Sequence, residues 1–584
     1  MKPGPESRTR PCNVLVIGTG AAGLRAAIAA RQAGVDVVVI GKRSRLDAHT
    51  ALAAGGINAA LGTVDPEDSW QQHFADTMRE GYSLSDPRVV EIMTSEAPAA
   101  INELAGWGCP FARTGDGTLD QRYFGAHTYR RTCYAGDYTG RAVLTTLADQ
   151  VQRLGIPVVE NLYVSRLLVA DGQCFGALAF DLHTGERTVF EADAVVLCSG
   201  GHTRLWRRSS SRRDENYGEG MWLAFEAGAR LMDMELVQFH PTGMLLPEEA
   251  AGTLVTEAVR GEGGRLLNAQ GERFMQRYDP ERMELSSRDR IALANYTEIA
   301  EGRGGPNGGV FLDVTHLGKE AILEKLPRMY RQFVEYQMLD ISKQPMEVAP
   351  TAHYSMGGIV VDPPTHATEV GGLFAAGECT AGLHGANRLG GNSLVETLVF
   401  GRRVGEAAAR LSRERESQLR SRRAVDGANG ELDSLIHNGT ELSRALQREV
   451  RNLMWERCGV VREATDMVGA LRGLGELRSV LPSVDVRPSE EGWGDLAQVL
   501  DLHAMLGAAE ATVRGAIARE ETRGAHIRSD FPELDPTMKV NFVIEHDGEA
   551  GMVAEPRSIP AVSAELVPWL TRAGDADAAG KLLE

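Results

Sequence analysis

From Asn13 the chain reads NVLVIGTGAAGLRAAIAARQAGVDVVVIGKRSRLDAHTALAAGG, and this stretch restricts the possible folds more than any other. The apolar run 13–17 predicts a short strand. Gly18-Thr19-Gly20-Ala21-Ala22-Gly23 is a GxGxxG turn, the Ala/Leu pattern over 24–33 predicts a buried helix, and a second strand is expected at 36–40. A lone GxGxxG says little, but between the strand and helix of a βαβ unit it describes a dinucleotide site. Its glycines let the backbone approach a pyrophosphate, and the helix N-terminus offers free N–H groups and the positive end of its dipole. Gly41 follows the second strand, where many such folds place an acid for the ribose hydroxyls. That disfavours NAD and leaves the ribose to be held from elsewhere.

At 584 residues the chain is too long for one core, and three or four domains are expected. With 43% hydrophobic and 24% charged residues it is a folded globular protein rather than a disordered one. A net charge of -18 argues against nucleic acid as a partner and requires any site for an anionic substrate to gather its own cations. No apolar run approaches the roughly 18 residues that span a bilayer, and the N-terminal MKPGPESRTRPCN has no signal-peptide core. A cytoplasmic chain with no transmembrane segment is the expectation. The seven cysteines are scattered without a CxxC, so no zinc or iron–sulfur ligand set is encoded and reduced, mostly buried thiols are expected.

Several later stretches carry chemistry: Gln238-Phe239-His240-Pro241-Thr242-Gly243, Thr256-Glu257-Ala258-Val259-Arg260, Ser287-Arg288-Asp289, Thr351-Ala352-His353 and His384-Gly385-Ala386-Asn387-Arg388. Singly, each has an ordinary structural use. A histidine before proline can cap a strand, Glu257 and Arg260 can be a helix-surface pair, and Arg288-Asp289 a solvated one. In this order, and after Asp47-Ala48-His49-Thr50 running into Gly55-Gly56, they resemble the flavoprotein subunit of the succinate dehydrogenase and fumarate reductase family. The resemblance covers nearly the whole chain and is strongest at 13–60, 235–290 and 350–402.

The resemblance implies FAD bonded covalently through His49, with Gly18, Gly20, Ala21, Ala22, Gly23, Lys42, Thr50, Gly55 and Gly56 around the cofactor. Glu219 stands where the family has an FAD-contacting aspartate, Glu378 is the candidate for the ribose contact missing at Gly41, and Ser393 and Leu394 open a helix facing the flavin. Four donors without a metal-ligand pattern, His240, Thr256, His353 and Arg388, suit two carboxylates on a four-carbon chain, and the resemblance implies succinate and fumarate. Arg288 would be the proton donor, re-poised through Glu257 and Arg260. Phe124 and His127 lie in a loop that the family places near substrate, although loop packing explains them equally well. The implied partners are an iron–sulfur subunit with a membrane-anchor subunit, quinone being reached indirectly and the chain lying peripheral on the inner face of the cell membrane.

The expected fold is α/β: a Rossmann-like two-dinucleotide FAD-binding domain (1–238 and 351–425) with an inserted α+β capping domain (239–350). A C-terminal helix bundle (426–530, with helical spacing from about 403, as at Leu442, Leu446, Val450 and Leu453) and a small region at 531–584 follow. L-aspartate oxidase is the nearest alternative, and His49 speaks against it. Adenylylsulfate reductase and soluble fumarate reductases are further relatives. A non-catalytic flavin- or nucleotide-binding regulator would not require Arg288, His240 and Arg388.

Overall fold

The computed structural model describes residues 7–489, 492–548 and 551–572. The first six residues of the polar N-terminus and the last twelve of the expected C-terminal region lie outside the described residues.

The βαβ start is present as β1 (Arg8–Ile17), α1 (Ala21–Gln32) and β2 (Val37–Ile40). β1 pairs in parallel with β2 on one side and with the long strand β3 (Arg187–Leu197) on the other. The sheet runs Val158–Val159, β2, β1, β3, Gln173–Asp181, Leu162–Ala170, the last two antiparallel, with Leu373–Ala375 beside the C-terminal end of β3. Val14, Leu15, Val39 and Ile40 are fully buried, which is why these parallel strands read as continuous apolar runs rather than alternating ones.

Every residue of α1 from Ala21 to Ala30 is buried, because its outer side is covered by α2 (Asn392–Glu414). Gly401 and Gly405 allow that approach: a Cβ at Gly401 would lie 2.8 Å from Ala22 O, and one at Gly405 2.2 Å from Ala26 O. The periodic apolar residues of 403–414 therefore pack against the dinucleotide fold. The next helix, Arg422–Ser434, crosses the expected boundary at 425 and packs on Leu162–Ala170.

The inserted segment forms an antiparallel sheet of β4 (Val237–Met244), β5 (Met346–Ser355), Val310–Asp313 and Arg265–Leu267. Helix Arg288–Ala300 packs on β4, around a core that includes Met244, Phe274, Ile291 and Phe333. The β4–β5 register shifts after Gln238 and again after His240. Such irregularities bend a strand and re-aim its side chains, here beside the main cavity.

Three helices, Ser443–Arg457, Ala464–Val480 and α3 (Gly494–Ala518), make the bundle. The seam on the first is Leu446, Val450 and Met454; of the other two residues expected in it, Leu453 is half-buried and Leu442 is the N-cap and 65% exposed. α3 is buried on nearly every side, wedged between the other two helices, the helix Glu219–Glu226 and the last hairpin. That hairpin, Val540–Asp547 with Gly551–Ser558, does not stand apart: Val540–Asp547 pairs with Leu231–Met232, which pairs in turn with Gly358–Ile359. The seven cysteines are free, six of them buried. Among the described residues no helix is long and apolar enough to cross a membrane.

Candidate active site

One cavity of about 840 Å³ runs from the Gly18 turn to Arg288, at the upper end of the size range of small-molecule sites. Its wall includes the N-terminal turns of two long helices. α1 begins after Gly20 and α2 after Gly391, and neither has a side-chain cap; the Ala21 amide donates to Thr50 Oγ1 and the Asn392 amide to Leu389 O, each at 3.2 Å, and the next N–H groups of each first turn are left for a ligand. Gly18 sits at φ +124, and a Cβ there would lie 2.0 Å from Cys198 O. Gly18→Ala is expected to cost on the order of 2–3 kcal/mol in strain and to weaken retention of the nucleotide. Parallel thermal unfolding and flavin-content measurements would show both losses.

Gly18, Gly20, Ala21, Ala22, Lys42, His49, Thr50, Gly55, Gly56, Glu219, Glu378, Ser393 and Leu394 all line this cavity. Gly23 does not: it lies against Gly18 O, where a Cβ would come within 2.0 Å, and it serves helix–strand packing. Lys42 is half-buried between Glu219 and Asp501, 3.6 Å from the latter, and Asp501 also accepts from Tyr163 Oη at 2.7 Å. Burial works against the ammonium, but Asp501 and Glu219 outweigh it and raise its pKa. Glu378 is not the acid that replaces the one missing at Gly41. It follows the strand beside β3, three strand spacings or about 14 Å from the end of β2. Its carboxylate accepts from the Ser355 amide at 3.1 Å, and burial pushes its pKa up to about 7. Glu219, paired with Lys42, is the carboxylate at the Gly41 end.

His49 opens the short turn His49–Leu52, and its Nδ1 lies 2.8 Å from Glu215 Oε1. Burial would depress the imidazole pKa, but Glu215 and Glu378 raise it. Burial would raise Glu215, which His49 and the Arg212 amide instead hold down at about 2.

At the other end stand the residues expected to meet a substrate. His240, Thr256, Glu257, Arg288, His353 and Arg388 share the cavity wall. The imidazoles of His240 and His353 lie 5.4 Å apart at 79°. Burial and the neighbouring guanidiniums hold both well below the usual histidine pKa, so both are neutral. His240 Nδ1 accepts from the Thr242 amide at 3.3 Å, which places its proton on Nε2. Ser210 Oγ lies 2.9 Å from His353 Nδ1. Arg388 is buried over the ring of Tyr354, donates to Gln238 Oε1 at 2.9 Å and to Ser393 Oγ at 3.2 Å, and its Nε has no partner among the described residues. Burial and Arg288 bring its pKa down to about 10.

Arg288 donates from Nε and Nη2 to Glu257 Oε2 at 2.9 and 2.8 Å, and from Nη1 to Gln238 Oε1 at 3.1 Å. Burial would raise the Glu257 carboxyl, but the Arg288 and Arg260 guanidiniums bring it down to about 2, so it is ionised. Arg260 lies behind it, outside the cavity wall, with Nη2 3.8 Å from Glu257 Oε2 and, among the described residues, no hydrogen-bond partner for its buried Nε. Phe124 lines the cavity beneath Arg288, whereas His127 is buried behind it, bonded to Gly390 O at 3.0 Å. Three contributors escaped sequence reasoning as site residues. Gln238 bridges the two arginines and was readable only as part of the stretch around His240. Glu215 and Asp501 carried no local signal, since their partners lie 166 and 338 residues away.

Comparison with known proteins agrees with this arrangement. Residues 13–394 match the family described as FAD binding domain, and residues 447–562 match the fumarate reductase flavoprotein C-term family. The chain is 44% identical over 546 residues to a subunit of the fumarate reductase (CoM/CoB) of Methanothermobacter marburgensis, covering 93% of this chain and 99% of that protein. It is 37% identical to the succinate dehydrogenase flavoprotein subunit of Rickettsia bellii, covering 93% and 94%. Among solved structures, Mycobacterium smegmatis Sdh1 in complex with UQ1 superposes with a TM-score of 0.88 at 39% identity, covering 96% of each chain. With its fold and cavity, the chain belongs to the family of succinate dehydrogenase and fumarate reductase flavoprotein subunits.

Proposed function

We propose that the protein interconverts succinate and fumarate and exchanges electrons with an iron–sulfur subunit, itself joined to a membrane anchor on the inner face of the cell membrane. One observation carries this reading: a dinucleotide-binding turn and a cluster of arginine and neutral histidine donors open into the same cavity. The donors suit a dicarboxylate. Arg388 has an unpartnered buried Nε and a rigid fork, and His240 offers Nε2–H. Each charge-assisted bond contributes about 1.5–3 kcal/mol, enough in combination to hold a dianion in a protein of net charge -18.

The cavity wall fits FAD: two uncapped helix N-termini, the close approach at Gly18, and Lys42 at the end of β2. FAD bound there supplies the hydride-exchanging centre. The protein's own task is the proton. Arg288 delivers it to the neighbouring substrate carbon, and its two bonds to Glu257 fix its direction. Glu257, kept ionised, holds the guanidinium ready and passes a replacement proton from Arg260. His240 and His353, kept neutral, donate to a carboxylate without competing for that proton.

We further propose that His49 is bonded to the flavin. On trichloroacetic-acid precipitation the yellow fluorescence is expected to stay with the protein; release to the supernatant would favour the L-aspartate oxidase reading. An assay of the purified complex for fumarate reduction and succinate oxidation tests the reaction itself, and absence of both would overturn it. The 44% identity to a protein of a CoM/CoB fumarate reductase favours a second reading of the electron partner, with a CoM/CoB donor in place of quinone. The same assay, run with a quinol and with CoM plus CoB, separates the two.

A further inference from the structure

His49 does not face the cavity alone. Its Nδ1 is held by Glu215, and Nε2 has no protein hydrogen-bond partner among the described residues. Glu215 is itself fixed: its side chain is only 8% exposed, Oε1 also accepts from the Arg212 amide at 2.9 Å, and Oε2 lies 3.9 Å from Arg43 Nε. The two loops that carry the pair are tied to each other. Arg43 bonds Asp47 at 2.7 Å and also Asp214, while Arg212 pairs with Asp47 at 2.9 Å. Residues 43–49 and 212–215 thus form a latch along one wall of the cavity, with the imidazole–carboxylate contact inside it.

We infer that Glu215 is the positioning residue for His49: it holds Nδ1–H, presents the Nε2 lone pair to the cofactor, and takes up the charge that develops on the ring as the bond to FAD forms. The inference rests on the reading that the flavin is covalently linked. A carboxylate behind an attacking imidazole does two things. It selects the tautomer whose other nitrogen is free, and it stabilises the cation made when that nitrogen gains a bond. In the linking step Nε2 forms a bond to the carbon of the ring methyl group, and one methyl C–H bond breaks. The Nδ1 proton passes to Glu215 and from there to solvent. The hydrogen lost by the methyl and the electron pair remain with the isoalloxazine ring, which is left reduced by two electrons. Fumarate is the acceptor that re-oxidises it, becoming succinate with two electrons and two protons.

The pH dependence has a definite sign. Before linking, burial would lower the His49 pKa, but Glu215 and Glu378 raise it, with Arg212 opposing them; Arg43 and Asp47 stand behind Glu215, and His353 lies across the cavity. A protonated Nε2 cannot attack. Linking therefore rises with pH through this elevated pKa. Removing the Glu215 charge shifts the half-point to lower pH while slowing the plateau, and a purely structural contact would produce neither change.

The test uses full-length protein produced without flavin and then mixed with FAD and fumarate at a series of pH values. Aliquots are quenched in trichloroacetic acid, and flavin is counted in the pellet. Wild type is expected to link. Glu215→Gln is expected to bind FAD in the same ratio by absorbance but to link on the order of 10²-fold more slowly, with the lowered half-point. Should Glu215→Gln fail to fold, Glu215→Asp is read the same way: its shorter side chain lengthens the Nδ1 contact, and slower linking is expected. Wild-type rate with an unshifted profile in the variant that folds overturns the role of Glu215. Flavin wholly in the supernatant for wild type overturns the covalent reading, and this inference with it.

Discussion

Arg288→Lys is expected to lower fumarate reduction by at least about 10³-fold while the absorption spectrum of the bound flavin stays unchanged. The guanidinium spends Nε and Nη2 on Glu257, at 2.9 and 2.8 Å, and Nη1 on Gln238 at 3.1 Å. Its plane lies over the ring of Phe124, 5.7 Å from the centroid. A lysine is a single ammonium on a flexible stem and cannot make this fork, so its proton no longer points where the planar group fixed it. The charge is preserved, and Arg388, His240 and His353 are untouched. The loss should therefore fall on kcat, with KM changed only a few-fold. Steady-state kinetics with a reduced viologen dye as donor, beside the flavin spectrum, check this. Near-normal turnover would remove Arg288 from its assigned role.

Arg519→Met is expected to destabilise the fold by about 3–5 kcal/mol, the cost of breaking a buried ion network from one side. Arg519 is fully buried just beyond the end of α3. It donates to Glu235 at 2.8 Å, to Asp233 at 3.2 Å and to Glu521 at 3.3 Å, and further to the carbonyls of Met538 and Val540. Removing the cation leaves the fully buried Glu235 without a counter-charge and Asp233 with only neutral donors, Asn541 and the Phe542 amide, while Glu521 keeps Arg523 at 2.7 Å. Burial and the nearby Glu235 already raise the Asp233 pKa, so that group answers the loss by taking up a proton. The variant should consequently regain part of its stability as pH falls through the range where Asp233 protonates. Urea unfolding at two pH values measures both effects, and an unchanged midpoint would show that the network contributes nothing. The same arginine joins α3 to the strand Val540–Asp547, so the last hairpin should loosen first, which hydrogen exchange would detect.

Much of the site was legible because local chemistry marks it. The strand–GxGxxG–helix sequence around Gly18 has one backbone solution, and the order of His240, Glu257, Arg288, His353 and Arg388 carried the resemblance. Glu378 was misplaced because an acid after a strand reads the same wherever that strand lies in the sheet. Gly23 was counted among the cofactor contacts because the motif names it, although its role is packing. Leu442 was put in a helix seam because spacing alone does not reveal where a helix starts.

By itself, then, the sequence determined the fold class, the dinucleotide turn and the set of donors that a dicarboxylate would meet, since each is written in contiguous residues whose spacing follows helix or strand geometry. Only the tertiary structure decided which distant groups stand next to them: Glu215 beside His49, Asp501 beside Lys42, Gln238 between Arg288 and Arg388, and the last hairpin beside Leu231–Met232. Those neighbours are chosen by the packing of elements hundreds of residues apart, and the charge states of His49, Lys42 and Glu257 follow from burial and proximity that no local pattern encodes.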